Sequence, residues 1–217
     1  MNKVTAIRAR RGRDKRVSVF LDGKFAFSLE AEAVVKANLK VEQELSADEI
    51  EALAKSDNFC RCLKAAGHYL SYRPRSEFEL RERLYRRDFG EDSVEPVIAK
   101  LKEQGLVDDA AFAQFWNDNR RSFSPRSQWL TRLELKRKGV AKEIADQVVG
   151  TNDDEDSAYR AALSKARGLR RSDYQSFRHR LGGYLRRRGF SYEVINHTIE
   201  LMWRECEVGQ NSILPGN

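Results

Sequence analysis

One helical unit of about fifty residues is written three times in this chain, and that repetition limits the possible folds more than any other feature. Two copies open their second helix with the same turn, Arg73-Pro74-Arg75-Ser76 and Ser124-Pro125-Arg126-Ser127, and the register then runs on to Leu84 and Leu135. The third copy lacks the proline, yet it places Leu185 before Arg186-Arg187-Arg188-Gly189-Phe190. That run matches Leu135-Lys136-Arg137-Lys138-Gly139-Val140 at a shift of 50 residues. A unit too small to bury its own apolar face buries it against its neighbours. The expected fold is therefore mainly α: three tandem three-helix repeats forming an elongated curved body with one long surface.

Ahead of the repeats the period is two. Val17, Val19 and Leu21 alternate before Asp22-Gly23, and Phe25, Phe27 and Leu29 alternate after it, the pattern of a tight hairpin. A further strand over Val4 to Ala9 pairs with Arg16 to Leu21 across the basic turn Arg10 to Lys15, giving a small antiparallel sheet. No strand is expected beyond Leu29. Ser46-Ala47-Asp48-Glu49 is a capping box that opens a helix ending near Ser56.

The spacing divides the chain into an N-terminal extension at 1–57, repeats at 58–107, 108–150 and 151–206, and a disordered tail at 207–217. The first repeat's helices are expected near Phe59 to Ser71, Ser76 to Phe89 and Glu91 to Gln104, and the second's middle helix runs from Ser127 to Gly139. Pro74 keeps Arg73 out of the helical region, so the turn before Ser76 is chemically specified. The polar stretch Gly150 to Asp156 is a loop that ends by capping the next helix.

A net charge of +7 suits an anionic partner, although 34% charged residues of both signs also describes any solvated helical surface. The charge is concentrated at the ends. Residues 1–16 carry Lys3, Arg8, Arg10, Arg11, Arg13, Lys15 and Arg16 against Asp14 alone, whereas 108–155 is slightly acidic. Cys60, Cys62 and Cys206, with His68, His179 and His197, lack the spacing of a disulfide framework or a metal site. No apolar run has the length of a membrane span, and the start of the chain lacks a signal-peptide core, which points to a reducing, cytoplasmic location.

Glu134-Leu135-Lys136 imitates part of a metal-dependent nuclease motif. Its sister positions, Arg83-Leu84-Tyr85 and Tyr184-Leu185-Arg186, repeat no acid, and no companion Asp is placed to share a metal. With no phosphate-cradling loop, nucleophile elbow or His-based triad, neither catalysis, nor a cofactor, nor a small-molecule substrate is expected.

The candidate binding residues are all basic. Arg86-Arg87, Lys136-Arg137-Lys138 and Arg186-Arg187-Arg188 end successive middle helices and would form a spaced row facing phosphates or an acidic protein surface. Cations in a last helical turn also complement the macrodipole with no ligand involved. Arg73, Arg75 and Arg126 lie at the head of a helix, against the local dipole preference, and so are better candidates unless they pair with Glu77, Glu79 or Glu82. Arg81 continues the first of these stretches. Arg120-Arg121 ends a helix that carries Phe112, Phe115 and Trp116, aromatic positions whose spacing, like those of Trp129 and Trp203, is that of core residues.

Tyr69-Leu70-Ser71-Tyr72-Arg73-Pro74-Arg75-Ser76-Glu77-Phe78-Glu79-Leu80-Arg81, Gly105-Leu106-Val107-Asp108-Asp109 followed by Phe112-Ala113, and Glu134 to Gly139 together resemble the RecX regulatory proteins of bacteria, modulators of the RecA recombinase. The likeness extends to Arg188-Gly189-Phe190. It implies three tandem three-helix units that settle into the groove of the RecA filament on single-stranded DNA. It also implies restraint of ATP hydrolysis, strand exchange and coprotease activity, in DNA repair and the SOS response. Some members of the family also bind DNA themselves, so the likeness allows single- or double-stranded DNA as a further partner. The third unit departs from the pattern, carrying Asp173-Tyr174-Gln175-Ser176 in place of the Pro-Arg-Ser turn. Two rivals remain open: a stand-alone nucleic-acid binder using Arg10, Arg11, Arg13 and Arg186 to Arg188, and a helical adaptor for another acidic protein.

Overall fold

The computed structural model describes residues 2–9, 16–169 and 173–211, with side chains as far as residue 205. Strands β1 (Asn2–Ala9), β2 (Arg16–Leu21), β3 (Lys24–Glu30) and β4 (Glu44–Leu45) form one antiparallel sheet in the order β3-β2-β1-β4. Asp22 (φ 48°) and Gly23 (φ 81°) are both left-handed, the geometry a two-residue hairpin needs to match strand twist. Val4, Val19 and Leu29 project to one face and are buried with Leu39 and Leu45. The basic turn at 10–15, with Arg10, Arg11 and Arg13, lies outside the described residues.

Strand β4 corrects the expectation of no strand beyond Leu29. After the short helix α1 (Ala31–Lys36) the chain turns back through Asn38 (φ 47°) and Glu42 (φ 75°) and lays Glu44–Leu45 on β1. Burial of Leu45 holds this two-residue edge in place, a tertiary effect with no local periodicity to announce it.

Helix α2 (Ala47–Tyr72) is a second correction, one rod of 26 residues where two helices are expected with a break between Ser56 and Phe59. Its start is the capping box: Ser46 Oγ accepts from the Glu49 amide, and the Glu49 carboxylate accepts from the Ser46 amide. It continues through the polar stretch because Asp57 is a buried anchor. The Asp57 carboxylate accepts from the Glu30 amide at 2.8 Å and from Arg16 Nη2 at 3.0 Å, tying the helix to the sheet.

The chain divides into two compact units, residues 1–73 with 80–107, and residues 74–79 with 108–217. In the first unit, α2, the larger part of α3 (Glu77–Tyr85) and α4 (Glu91–Glu103) enclose Cys62, Ala66, Leu80, Leu84, Val94, Val97, Ile98 and Leu101. In the second unit, α5 (Asp109–Phe123), α6 (Gln128–Arg137) and α7 (Lys142–Val149) enclose Phe112, Leu135, Val140 and Val149. There also α8 (Asp154–Arg167), α9 (Tyr174–Arg187) and α10 (Tyr192–Asn211) enclose Phe177, Leu181, Leu185, Ile199 and Met202. The fold is thus mainly helical, with three three-helix modules and a small N-terminal sheet.

Three differences from the sequence reading follow from capping chemistry and composition. Asp153 caps α8, its carboxylate accepting from the Glu155 amide at 2.8 Å, so the loop after Gly150 is shorter than expected. Helix α9 has 14 residues against 10 in α6, because Asp173 caps it about one turn earlier than the Pro-Arg-Ser position would. Helix α10 runs past Glu207 to Asn211, where the polar composition had pointed to a disordered tail. Residues 212–217 lie outside the description.

Candidate functional site

The repeated Leu-(x)3-Gly-apolar pattern is a helix stop. The Val140 amide donates to the Leu135 carbonyl (3.1 Å) and the Gly139 amide to Lys136 (3.0 Å), the paired bonds of a Schellman motif, with Gly139 at φ 77°. Gly189 (φ 84°) does the same after Leu185, and Asp88 (φ 60°) takes that position after Leu84. Each leucine is fully buried and points its helix end in a defined direction.

Those stops meet the Pro-Arg-Ser turns. Ser76 Oγ donates to the Lys138 carbonyl at 2.6 Å while accepting from the Glu79 amide at 3.1 Å. The Ser127 amide donates to the Arg188 carbonyl at 3.0 Å, and Ser127 Oγ accepts from the Leu130 amide at 3.1 Å. The positive end of one middle helix thereby faces the negative end of the next. Both glycines are required by close approach as well as by φ. A Cβ on Gly189 would lie 2.6 Å from Ser127 Oγ and 2.7 Å from Leu130 Cβ, and one on Gly139 would lie 2.8 Å from Phe78 Cγ.

A third part of this joint is carried by a repeated Asp-Asp pair. The first carboxylate, Asp108 or Asp153, caps its own helix. The second reaches across, Asp109 accepting from the Glu77 amide and Asp154 from the Gln128 amide, each at 2.8 Å. Burial pushes the Asp154 carboxyl up, opposed by the Gln128 amide and the charge of Arg132. Acids at these helix starts are legible as dipole partners, but the second acid's reach to another helix is not.

The basic residues now divide by what they touch. Within each second-unit trio the third cation turns back into the joint: Lys138 pairs with Glu79, and Arg188 donates to the Pro125 carbonyl at 2.7 Å and to Ser124 Oγ at 3.2 Å. The first two, Lys136 with Arg137 and Arg186 with Arg187, are exposed. In the first unit Arg86 pairs with Glu82 one turn away and Arg87 lies over the Tyr69 ring at 5.7 Å, both exposed. Arg81 grips Glu95 with two parallel bonds of 2.7 and 2.9 Å. Arg73 ends α2, half-buried.

Arg75 is buried and pairs with Glu79 at 4.0 Å, one of the internal pairings weighed in the sequence. Arg126 pairs with Glu134, which also accepts from Arg120 Nε at 2.7 Å and from Trp116 Nε1 at 2.9 Å. Glu134 is 9% exposed and is the carboxylate hub of the second unit. Burial lowers the proton affinity of the Arg126 guanidinium, and nearby Arg120 and Arg188 push in the same direction. The Trp116 ring carries Arg120 at 4.4 Å and Lys138 at 4.2 Å, so its π surface is already used internally. Arg121 is exposed, and its carbonyl accepts from Arg160.

Trp129 overturns its assignment to the core. The buried stripe of α6 runs through Thr131, Glu134 and Leu135, and Trp129 stands off it, 63% exposed. Among the described residues no group of His, Cys, Asp and Glu is arranged to hold a metal ion, and no helix is long and apolar enough to cross a membrane.

Comparison with known proteins agrees with this architecture. The family model described as the RecX N-terminal domain matches residues 2–46, and those of the first, second and third RecX three-helix domains match 62–101, 108–149 and 153–199. A Regulatory protein RecX of Clostridium beijerinckii is 31% identical over 206 residues, covering 92% of this chain and 95% of that protein. One from Bacillus pumilus is 28% identical, with coverage of 92% and 77%. A crystal structure of regulatory protein RecX superposes with a TM-score of 0.63 at 26% identity, over 92% of this chain and 100% of that one. RecX from Lactobacillus salivarius shares the fold at a TM-score of 0.56 and 24% identity, over 68% and 97%. The chain belongs to the RecX family of regulatory proteins.

Proposed function

We propose that this protein binds the RecA filament assembled on single-stranded DNA, in its helical groove, and restrains it, lowering ATP hydrolysis, strand exchange and coprotease activity in DNA repair and SOS regulation. The observation that supports this most directly is the pairing of family membership with a repeated device. Two equivalent helix ends carry exposed cations, Lys136 with Arg137 and Arg186 with Arg187, each held by a glycine stop and a serine clasp. A filament repeats its surface, and several weak contacts on a stiff frame add through effective concentration, so the assembled polymer is held and the free subunit is not. Arg73, Arg81, Arg86 and Arg87 in the first unit, and Arg120 and Arg121 in the second, are further proposed contacts. Arg75, Arg126, Lys138 and Arg188 act from within, by setting the joints.

Restraint requires that the protein prefer one filament state over another, since a ligand with equal affinity for both shifts nothing. The test measures RecA ATPase on single-stranded DNA with increasing protein, alongside binding to free RecA and to filaments. Inhibition with filament-selective binding is expected. Equal affinity for free subunit and filament would refute the proposal. A second reading, a stand-alone nucleic-acid binder, is favoured by one observation, the exposed Trp129 beside a basic helix end.

A further inference from the structure

The joints that carry the cations also carry aromatic side chains on the outside. Trp129 is 63% exposed, and its Cε3 lies 3.2 Å from where a Cβ of Gly189 would stand. It therefore sits directly against the last turn of α9, where Arg186 and Arg187 are exposed. The equivalent residue one repeat earlier is Phe78, 47% exposed and packed against Gly139, beside the exposed Lys136 and Arg137. The repeat recurs at the last residue of the preceding helix as well. Phe123 and Tyr72 hold corresponding positions six residues ahead of these aromatics and are 82% and 71% exposed.

A lone exposed aromatic is ordinary, but these recur at one structural position in two of the three repeats, next to a basic helix end each time. Trp129 lies against the Gly189 stop but outside the core stripe of α6, so most of its ring is left to solvent. Aromatic faces flanked by cations are the chemistry of single-strand binding: bases stack on the ring while the cations meet the phosphates. Trp116 shows the contrast, since its ring is covered by Arg120 and Lys138 and its Nε1 is spent on Glu134. Among the described residues no cation lies over the ring of Phe78 or of Trp129.

We propose that Trp129 with Arg186 and Arg187, and Phe78 with Lys136 and Arg137, form two equivalent stacking sites for single-stranded nucleic acid, bases on the rings and phosphates on the cations. The two sites belong to the same compact unit. The duplex is the poorer ligand, because its bases are already stacked on each other. The site gives a concrete form to the stand-alone nucleic-acid reading and does not depend on the filament proposal, since bare strands are its ligand.

The experiment titrates the full-length protein with a fluorescently labelled oligo-dT, an abasic strand of the same length and a duplex, in the absence of RecA, over a range of salt. Trp129→Leu keeps an apolar contact with Gly189 but removes the aromatic face, and circular dichroism checks that the fold is retained. Expected are tighter binding of oligo-dT than of the abasic strand or the duplex, and about a tenfold loss of oligo-dT affinity in Trp129→Leu, with the salt slope unchanged. Arg186→Ala with Arg187→Ala should lower the salt slope by about one to two. Equal binding of oligo-dT and abasic strands by the native protein would overturn the proposal. So would a Trp129→Leu variant that binds oligo-dT normally. Loss of RecA-filament binding in Trp129→Leu with bare-strand affinity unchanged would also overturn it, making this face a protein contact and leaving the filament reading intact.

Discussion

Replacing Gly189 by alanine separates the backbone role of a helix-stop glycine from its role in the joint. At φ 84° any residue with a Cβ loses roughly 1–2 kcal/mol relative to glycine. Gly105, which ends α4 at φ 67° with nothing within 4 Å of a Cβ, should show that loss and no more. At Gly189 the new methyl lies 2.6 Å from Ser127 Oγ and 2.7 Å from Leu130 Cβ, well inside the ~3.5–4 Å of a favourable carbon contact. The helix ends must separate, which adds an overpacking cost of about 1–3 kcal/mol. It also weakens the Ser127 to Arg188 bond, a contribution of about 1 kcal/mol. Gly189→Ala should therefore cost about 3–6 kcal/mol against about 1–2 for Gly105→Ala. Urea unfolding followed by circular dichroism measures both, and the emission of Trp116, Trp129 and Trp203, all in the second unit, reports Gly189→Ala locally. Amide exchange at Ser127 should also accelerate. Equal losses for the two variants, with Ser127 exchange unchanged, would refute the close approach.

Glu134→Ala should destabilise the second unit by about 3 kcal/mol, because it leaves the Arg120 and Arg126 guanidiniums and Trp116 Nε1 without their common acceptor; chemical denaturation of the variant checks this. Cys62, fully buried and with its thiol pushed up to about 11 by burial, should resist alkylation at pH 8 in the native protein and react once the first unit is unfolded, as peptide mass spectrometry would show. Arg81 holds the Glu95 carboxyl below its usual value of 4.5, so the pair's stabilising effect is present above that pH and is lost as pH falls through the lowered value. The acid limb of the stability profile should accordingly flatten in Glu95→Gln, measured as urea midpoint against pH.

The parts of the fold written in local chemistry were readable from sequence. Asp22-Gly23 set the hairpin, Ser46 with Glu49 opened α2, and Leu135 before Gly139 stopped α6. What escaped was long-range. Asp57 looked like a break because its partners, Glu30 and Arg16, lie 27 and 41 positions away. β4 exists because Leu45 is drawn into a core built by other strands. The candidate cations showed the same limit. Their repetition was visible, but the division between exposed Lys136, Arg137, Arg186 and Arg187 and the joint-facing Lys138 and Arg188 depends on where the preceding turn packs. Trp129 fitted a helical aromatic spacing, and only the stripe Thr131, Glu134, Leu135 reveals that it faces out.

In the proposed function, exposed cations on equivalent helix ends hold a polymeric partner. Co-sedimentation with preassembled RecA filaments, comparing the native protein with a variant carrying Lys136→Ala, Arg137→Ala, Arg186→Ala and Arg187→Ala, tests it directly. These side chains project from joints they do not build, so the variant should keep its fold by circular dichroism and lose at least tenfold in filament affinity. A folded variant that sediments as completely as the native protein at every concentration would contradict the claim.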